Sequence, residues 1–196
     1  MRPIQVSIRL LSTVGVLVGF LCFGVAAAMH PGGYDLNRDY LSTLLRDASA
    51  PSRITAVVGM FVFCVSIALV FERLARSTES TGGPKVIRVA GIGSTVYAAL
   101  AVTPLHDLMV MISVGFFAIA VLALLRALYL GREVGFLAAG FACFALLVAS
   151  TTIYYSQHFV VVLPWAQRIL FVVCAVWLVC LDLHVPGLRL GRIEPA

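Results

Sequence analysis

The sequence predicts an all-α integral membrane protein: a six-helix bundle with both termini cytoplasmic and a short amphipathic interfacial helix in the first outer loop. Three observations carry this. Of 196 residues, 61% are apolar and 12% charged, about half the charge of an ordinary soluble domain. The apolar residues gather in runs near the ~20 residues needed to cross ~30 Å of hydrocarbon. Those runs are continuously apolar rather than alternating, so a β-barrel is excluded and helices, which satisfy their own backbone, are required.

Six spans follow in order, at about 10 to 28, 54 to 71, 87 to 104, 108 to 130, 135 to 155, and 162 to 183, forming one domain over 1–196. Each run is broken by charge, Gly or Pro. Orientation follows from the basic residues. Arg2, Arg9, Arg73, Arg76, Lys85, Arg88, Arg126, Arg132, Arg189 and Arg192 fall on one side, ten of the fourteen Lys and Arg. The positive-inside rule makes that side cytoplasmic, and a plasma membrane is the expected location. Both termini are then cytoplasmic, which demands an even number of spans. Residues 1–30 also have the outline of a signal peptide, ending in Ala26-Ala27-Ala28. The apolar stretch of about 19 residues is long for that role, and its removal would leave an odd count.

The net charge of +5 is spread over span ends, where it sets topology, so nucleic acid is not an expected partner. Cys22, Cys64, Cys143, Cys174 and Cys180 lie in apolar runs without CxxC or Cys/His spacing and read as small buried hydrophobes. Gly15 and Gly19 form a GxxxG pair on the first span, serving either a neighbouring helix or a second copy. Ser77 to Pro84 (STESTGGP) reads as a flexible cytoplasmic loop. Asp182 and His184 fall in the cytoplasmic headgroup layer and are assigned no chemistry.

The outer side collects the remaining polar residues, among them His30, Asp35, Asn37, Asp39, Ser42, His106, Asp107 and His158. His30-Pro31-Gly32-Gly33 makes a turn, after which Asp35 is placed to cap a helix. Leu36, Tyr40, Leu41, Leu44 and Leu45 then recur at helical spacing, with Arg38, Ser42 and Arg46 on another face, up to Pro51. Pro104 breaks the third span, and Asp107 opens the next, where a carboxylate favours the helix dipole. Thr151, Tyr154 and His158 share a stripe on the fifth span. Arg168 lies inside the sixth and should snorkel or find a partner, with Asp39 and Asp107 as candidates.

HPGGYDLNRDYLSTL after a first apolar helix, TPLHDLMVMISVGFF, and LPWAQRILFVVCAVWLV at the last helix together resemble a bacterial membrane family known as domain of unknown function 998. The likeness runs in order along nearly the whole chain. It implies a six-helix membrane protein, distantly similar to the Frag/DRAM/Sfk-like families, some of which act in lipid-anchor remodelling. The resemblance supplies no established activity. The positions matching its pattern are Arg38, Asp39, Ser42, His106 and Arg168.

Two functions fit these residues. The first is a bundle that binds lipid or a membrane partner through a polar outer-face pocket. Membrane lipids are then its partners, with a homo-oligomer or a second membrane protein left open. The second is an outer-leaflet, metal-dependent hydrolase or acyl-transfer enzyme acting on a lipid. There His30, His106 and His158 would hold zinc, with Asp39, Ser42 and Asp107 as catalytic candidates. Arg38 and Arg168 would hold a lipid headgroup. No GxSxG, HExxH or phosphate-binding Gly-rich loop is present to decide the matter.

Overall fold

The computed structural model of this chain describes residues 3–46, 49–79 and 82–184, with side chains from Arg9 onward. Arg2, Arg189 and Arg192, which the orientation argument uses, lie outside the described residues, as do Ser80 and Thr81 of the expected loop. Among the described residues the fold is all-helical. In chain order it comprises α1 (Pro3–Ala28), α2 (Thr43–Arg46), α3 (Ala50–Arg76), α4 (Gly83–Leu100), α5 (His106–Leu130), α6 (Val134–Ser156) and α7 (Leu163–His184), with a 3-10 turn at Val160–Val162 before α7.

Five of these helices are long and apolar enough to cross a membrane: α1, α3, α5, α6, and α7 with its 3-10 lead-in. The fit to a multi-pass membrane protein extends to the surface. Leu10, Leu17 and Leu21 of α1 are 65%, 63% and 67% exposed, while Ser12, Ser52, Ser66 and Ser94 are buried. A soluble monomer rarely shows so large a continuous apolar surface, whereas hydrocarbon leaves it unpenalised.

The expected span 87–104 is a helix, shifted four residues toward the N-terminus. α4 begins at Gly83, ends at Leu100, and has 18 residues that include Lys85 and Arg88, and it is not among the five sufficiently apolar helices. Its glycines serve packing. A Cβ on Gly91 would lie 2.3 Å from the Phe71 ring, and one on Gly93 would lie 3.0 Å from the Phe116 ring. The helix stops before Pro104 because the residue preceding a proline disfavours helical geometry. The Thr103 N–H turns back to the Leu100 carbonyl at 3.0 Å.

α1 packs along α3 through the expected GxxxG pair, so that pair serves an intramolecular contact. A Cβ on Gly15 would meet Ser66 Oγ at 2.0 Å, and one on Gly19 would meet Phe63 Cβ at 2.8 Å and the Gly59 carbonyl at 3.1 Å. Small residues let the two backbones approach. The Ser52 hydroxyl donates to the Ala26 carbonyl at 2.7 Å, tying the far end of α1 to the start of α3. The fully buried core draws Phe71 and Leu74 from α3, Ile87 from α4, Leu124 and Leu128 from α5, and Leu178 and Leu181 from α7.

Two further expectations change. The STESTGGP segment is partly built into the fold: Ser77 caps α3, and buried Thr78 donates its hydroxyl to the Leu74 carbonyl at 2.8 Å. The amphipathic helix expected from Asp35 to Pro51 is reduced to one turn, Thr43–Arg46, with Leu44 and Leu45 buried. The reason lies in the site.

Candidate functional site

The segment after α1 reverses at Gly32 and Gly33, both with positive φ, a backbone region glycine enters without steric cost. Beyond it the chain forms a turn rather than a helix. The Asp35 carboxylate accepts the Asn37 N–H at 2.8 Å, and the Asp39 carboxylate accepts the Asp35 N–H at 2.8 Å. Such side-chain bonds offer the backbone an alternative to helical pairing. Arg168, near the start of α7, completes the knot. Its guanidinium donates to the Leu36 and Asp39 carbonyls and to the Tyr34 hydroxyl, the last at 2.9 Å. Two carbonyls that a continuing helix would use are thereby taken.

Arg168 also lies 5.4 Å from the Tyr34 ring centroid and 5.6 Å from that of Trp165, cation–π geometry for both. Trp165 Nε1 donates to Asn37 Oδ1 at 3.1 Å. Burial pushes the Tyr34 hydroxyl above its usual pKa, against the opposing pull of Arg168. Asp39 therefore serves Arg168 through its backbone carbonyl, and neither Asp39 nor Asp107 pairs with it as an ion. The exposed groups at this end include Arg38, which lies 3.8 Å from Asp35 and has 86% of its side chain in solvent. Tyr154, Tyr155 and Trp165 are exposed there as well, as amphipathic rings at a headgroup boundary are.

The three candidate zinc histidines have three separate settings. Both ring nitrogens of His30 are buried without a hydrogen-bond partner, beside the Tyr34 ring at 6.0 Å. His106 Nδ1 meets the Ala101 carbonyl, joining the end of α4 to the start of α5. His158 is exposed and beyond α6: Gln157 takes a left-handed φ of 57° and ends that helix, so His158 leaves the stripe expected with Thr151 and Tyr154. Asp107 accepts the Tyr154 hydroxyl at 3.3 Å instead of meeting a histidine. Ser42 is half-buried, and its carbonyl accepts the Leu45 N–H at 3.0 Å. Among the described residues no three His, Cys, Asp or Glu gather closely enough to hold a metal ion.

The interior holds what sequence reasoning missed. A partly open cavity of about 140 Å³ lies among α3, α4, α5, α6 and α7. Phe63, Phe117 and Phe171 line it, with Met60, Ala98, Leu147, Leu170 and Cys174. Its three hydroxyl residues present little polarity to the space. Ser94, Thr95 and Ser113 donate to the Gly91, Ile92 and Ser94 carbonyls at 2.7, 2.8 and 2.8 Å. Leu170 and Phe171 follow Arg168 on α7, so the polar knot and the cavity lie within ~5 Å along one helix axis.

The opposite end of the bundle carries a second cluster. Asp182, 2% exposed, accepts Arg73 Nε at 2.9 Å and the Arg73 Nη2 at 2.6 Å, and Nη2 also reaches the Ser12 hydroxyl. Asp182 is thus paired with Arg73 and buried, not a solvated end group. His184 lies 3.8 Å from the Glu133 carboxylate and 4.8 Å from the Phe136 ring centroid. The available signal was an Asp and an Arg just inside apolar helices, where an ionisable residue needs a partner. No protein-family model, curated protein or solved structure matches the chain.

Proposed function

We propose that this chain is a six-span protein of the plasma membrane that binds a membrane lipid, placing an apolar part of it in the interior cavity. The single observation that carries this is the cavity's lining, almost wholly apolar and drawn from five helices. Its volume of about 140 Å³ is close to the ~150 Å³ of apolar cavities known to take up a benzene ring. That is room for the tip of an acyl chain or a ring. The aromatic end near Arg168 is the natural place for the ligand's polar part, with exposed Arg38 as a headgroup contact. In this reading α4 is the sixth span, its ~27 Å length sufficient to approach the hydrocarbon thickness. Both termini then face the cytoplasm. Membership in the domain of unknown function 998 family is part of the proposal and is consistent with this architecture.

The test is lipid retention. Wild-type protein and an Ala98→Phe variant, which fills the cavity, are washed in delipidating detergent and extracted. The expectation is bound lipid near one per wild-type chain and at least tenfold less for Ala98→Phe with its helix content unchanged. Equal retention by both proteins would overturn the reading.

A further inference from the structure

The interior cavity is open at one end and shut at the other. Among the residues lining it, Ala98, Ser113, Val114, Phe117, Leu170 and Phe171 are half-buried, and the rest are buried. Each of these lies in the half of its helix nearer Arg168. There α5 has no buried residue before Ala120, and α7 has none between Pro164 and Cys174. The same stretches expose Val110, Met111, Ile169 and Val172, so the mouth meets hydrocarbon rather than water. At the other end Phe71 closes the space between α3 and α4. A Cβ on Gly91 would lie 2.3 Å from its ring, and that ring meets Phe117 edge to face at 6.2 Å. A Cβ on Gly140 would lie 2.7 Å from both Leu125 and Trp177, which close the space among α5, α6 and α7. Phe71, Leu124 and Leu128 are 0% exposed and Leu178 1%, a layer packed without room for a chain.

We propose that the cavity takes one acyl chain of a phospholipid from the leaflet at the Arg168 end, and takes none from the opposite leaflet. This rests on the reading of the cavity as a lipid site and names the ligand's leaflet and chain number. A volume of about 140 Å³, close to that of an apolar cavity filled by one benzene ring, admits one chain end and not two. The chain enters past Leu170 and Phe171, and its methyl end lies against Ile67 and Leu178. Its headgroup stays in the boundary layer beside Trp165, where an aromatic ring with a polar edge belongs. A lipid of the opposite leaflet finds its way barred by the Phe71 layer and by the paired charges of Arg73 and Asp182. The path therefore ends inside the bundle, and the protein holds a lipid of one leaflet without passing it across.

The experiment uses the full chain in proteoliposomes, with a protease-cleavable C-terminal tag. α1 begins and α7 ends at the end opposite Arg168, so protease added outside removes the tag only from molecules whose Arg168 end faces the lumen. A phospholipid with a diazirine near one chain end is placed in the external leaflet alone by cyclodextrin exchange and photolysed. Tagged and cleaved molecules are then separated and their adducts mapped. Adducts on buried Cys174 and Leu178 are expected at least tenfold more often in tagged molecules, whose Arg168 end faces the probe, and are expected to disappear in Ala98→Phe. Exposed Val176 should be marked in both populations. Equal marking of Cys174 and Leu178 in the two populations, or more in the cleaved one, overturns the inference while leaving the lipid site standing. No marking of either residue in either population, with Val176 marked, overturns the inference and the lipid site together.

Discussion

Arg73 and Asp182, 109 residues apart, form a two-pronged ion pair inside the helix bundle, with the Ser12 hydroxyl on the same guanidinium. One pair thereby fastens α1, α3 and α7 at the end opposite the Arg168 knot. Arg73 keeps 14% of its side chain exposed and Asp182 only 2%, so the carboxylate is the charge shut off from water if its partner is removed.

Removing one partner should therefore cost more than removing both. Arg73→Ala or Asp182→Ala is expected to destabilise by about 3–5 kcal/mol, because each breaks a buried ion pair from one side only. Arg73→Met with Asp182→Leu should recover at least half of that loss. Unfolding in mixed detergent micelles measures all three, and single variants as stable as wild type would contradict the assignment.

The Arg168 knot makes a prediction about geometry rather than charge. Lysine keeps the charge but cannot serve two carbonyls and a hydroxyl from one planar fork. Arg168→Lys should speed amide exchange at residues 34–39 by tenfold or more, with α1 and α3 unaffected. Unaltered exchange in that segment would mean the knot is not what holds the turn.

The same knot has a pH dependence with a defined sign. Burial raises the Tyr34 hydroxyl above its ordinary value in the folded protein, so the native state prefers it protonated. That contribution is fully present below about pH 10, the unfolded tyrosine value. It is lost as pH rises through the higher folded value. Ultraviolet titration should place Tyr34 among the late-ionising tyrosines, and Tyr34→Phe should shrink the late component by one tyrosine. A late component of unchanged size in Tyr34→Phe would assign it elsewhere.

Helix positions were legible because continuous apolar runs leave few alternatives. The starts of α5 and α6 and the ends of α1 and α5 fall within two residues of the expected spans. The one-turn α2 was not legible, since its leucine spacing is helical while the competing bonds come from Arg168, more than 120 residues away. Nor was α4 legible as less apolar than the rest: its Gly91 and Gly93 matter through Phe71 and Phe116, which only packing reveals. The histidines looked alike in sequence because each stands at a helix end. Their different neighbours separate them, as with His106 at the Ala101 carbonyl. Cavities depend on register between helices, which a hydropathy pattern does not encode.

The topology is open to a direct check. If α4 crosses, the connection at Thr103 to His106 and the segment around Gly33 lie on the same side, opposite Glu79. Single cysteines at Gly33, Leu105 and Glu79, introduced into a chain whose own cysteines are replaced by serine or alanine, should label accordingly with a membrane-impermeant reagent. Glu79 and Leu105 labelling from one side would mean that α4 does not span.

The central claim is that the interior cavity takes up the apolar part of a lipid. A phospholipid with a diazirine near the end of one acyl chain, incorporated in nanodiscs and photolysed, tests this by the residues it marks. The account predicts adducts on Phe117, Leu170 and Phe171, lost in Ala98→Phe. Adducts confined to outward-facing residues such as Leu17, Leu21 and Val176, and unchanged by Ala98→Phe, would contradict it.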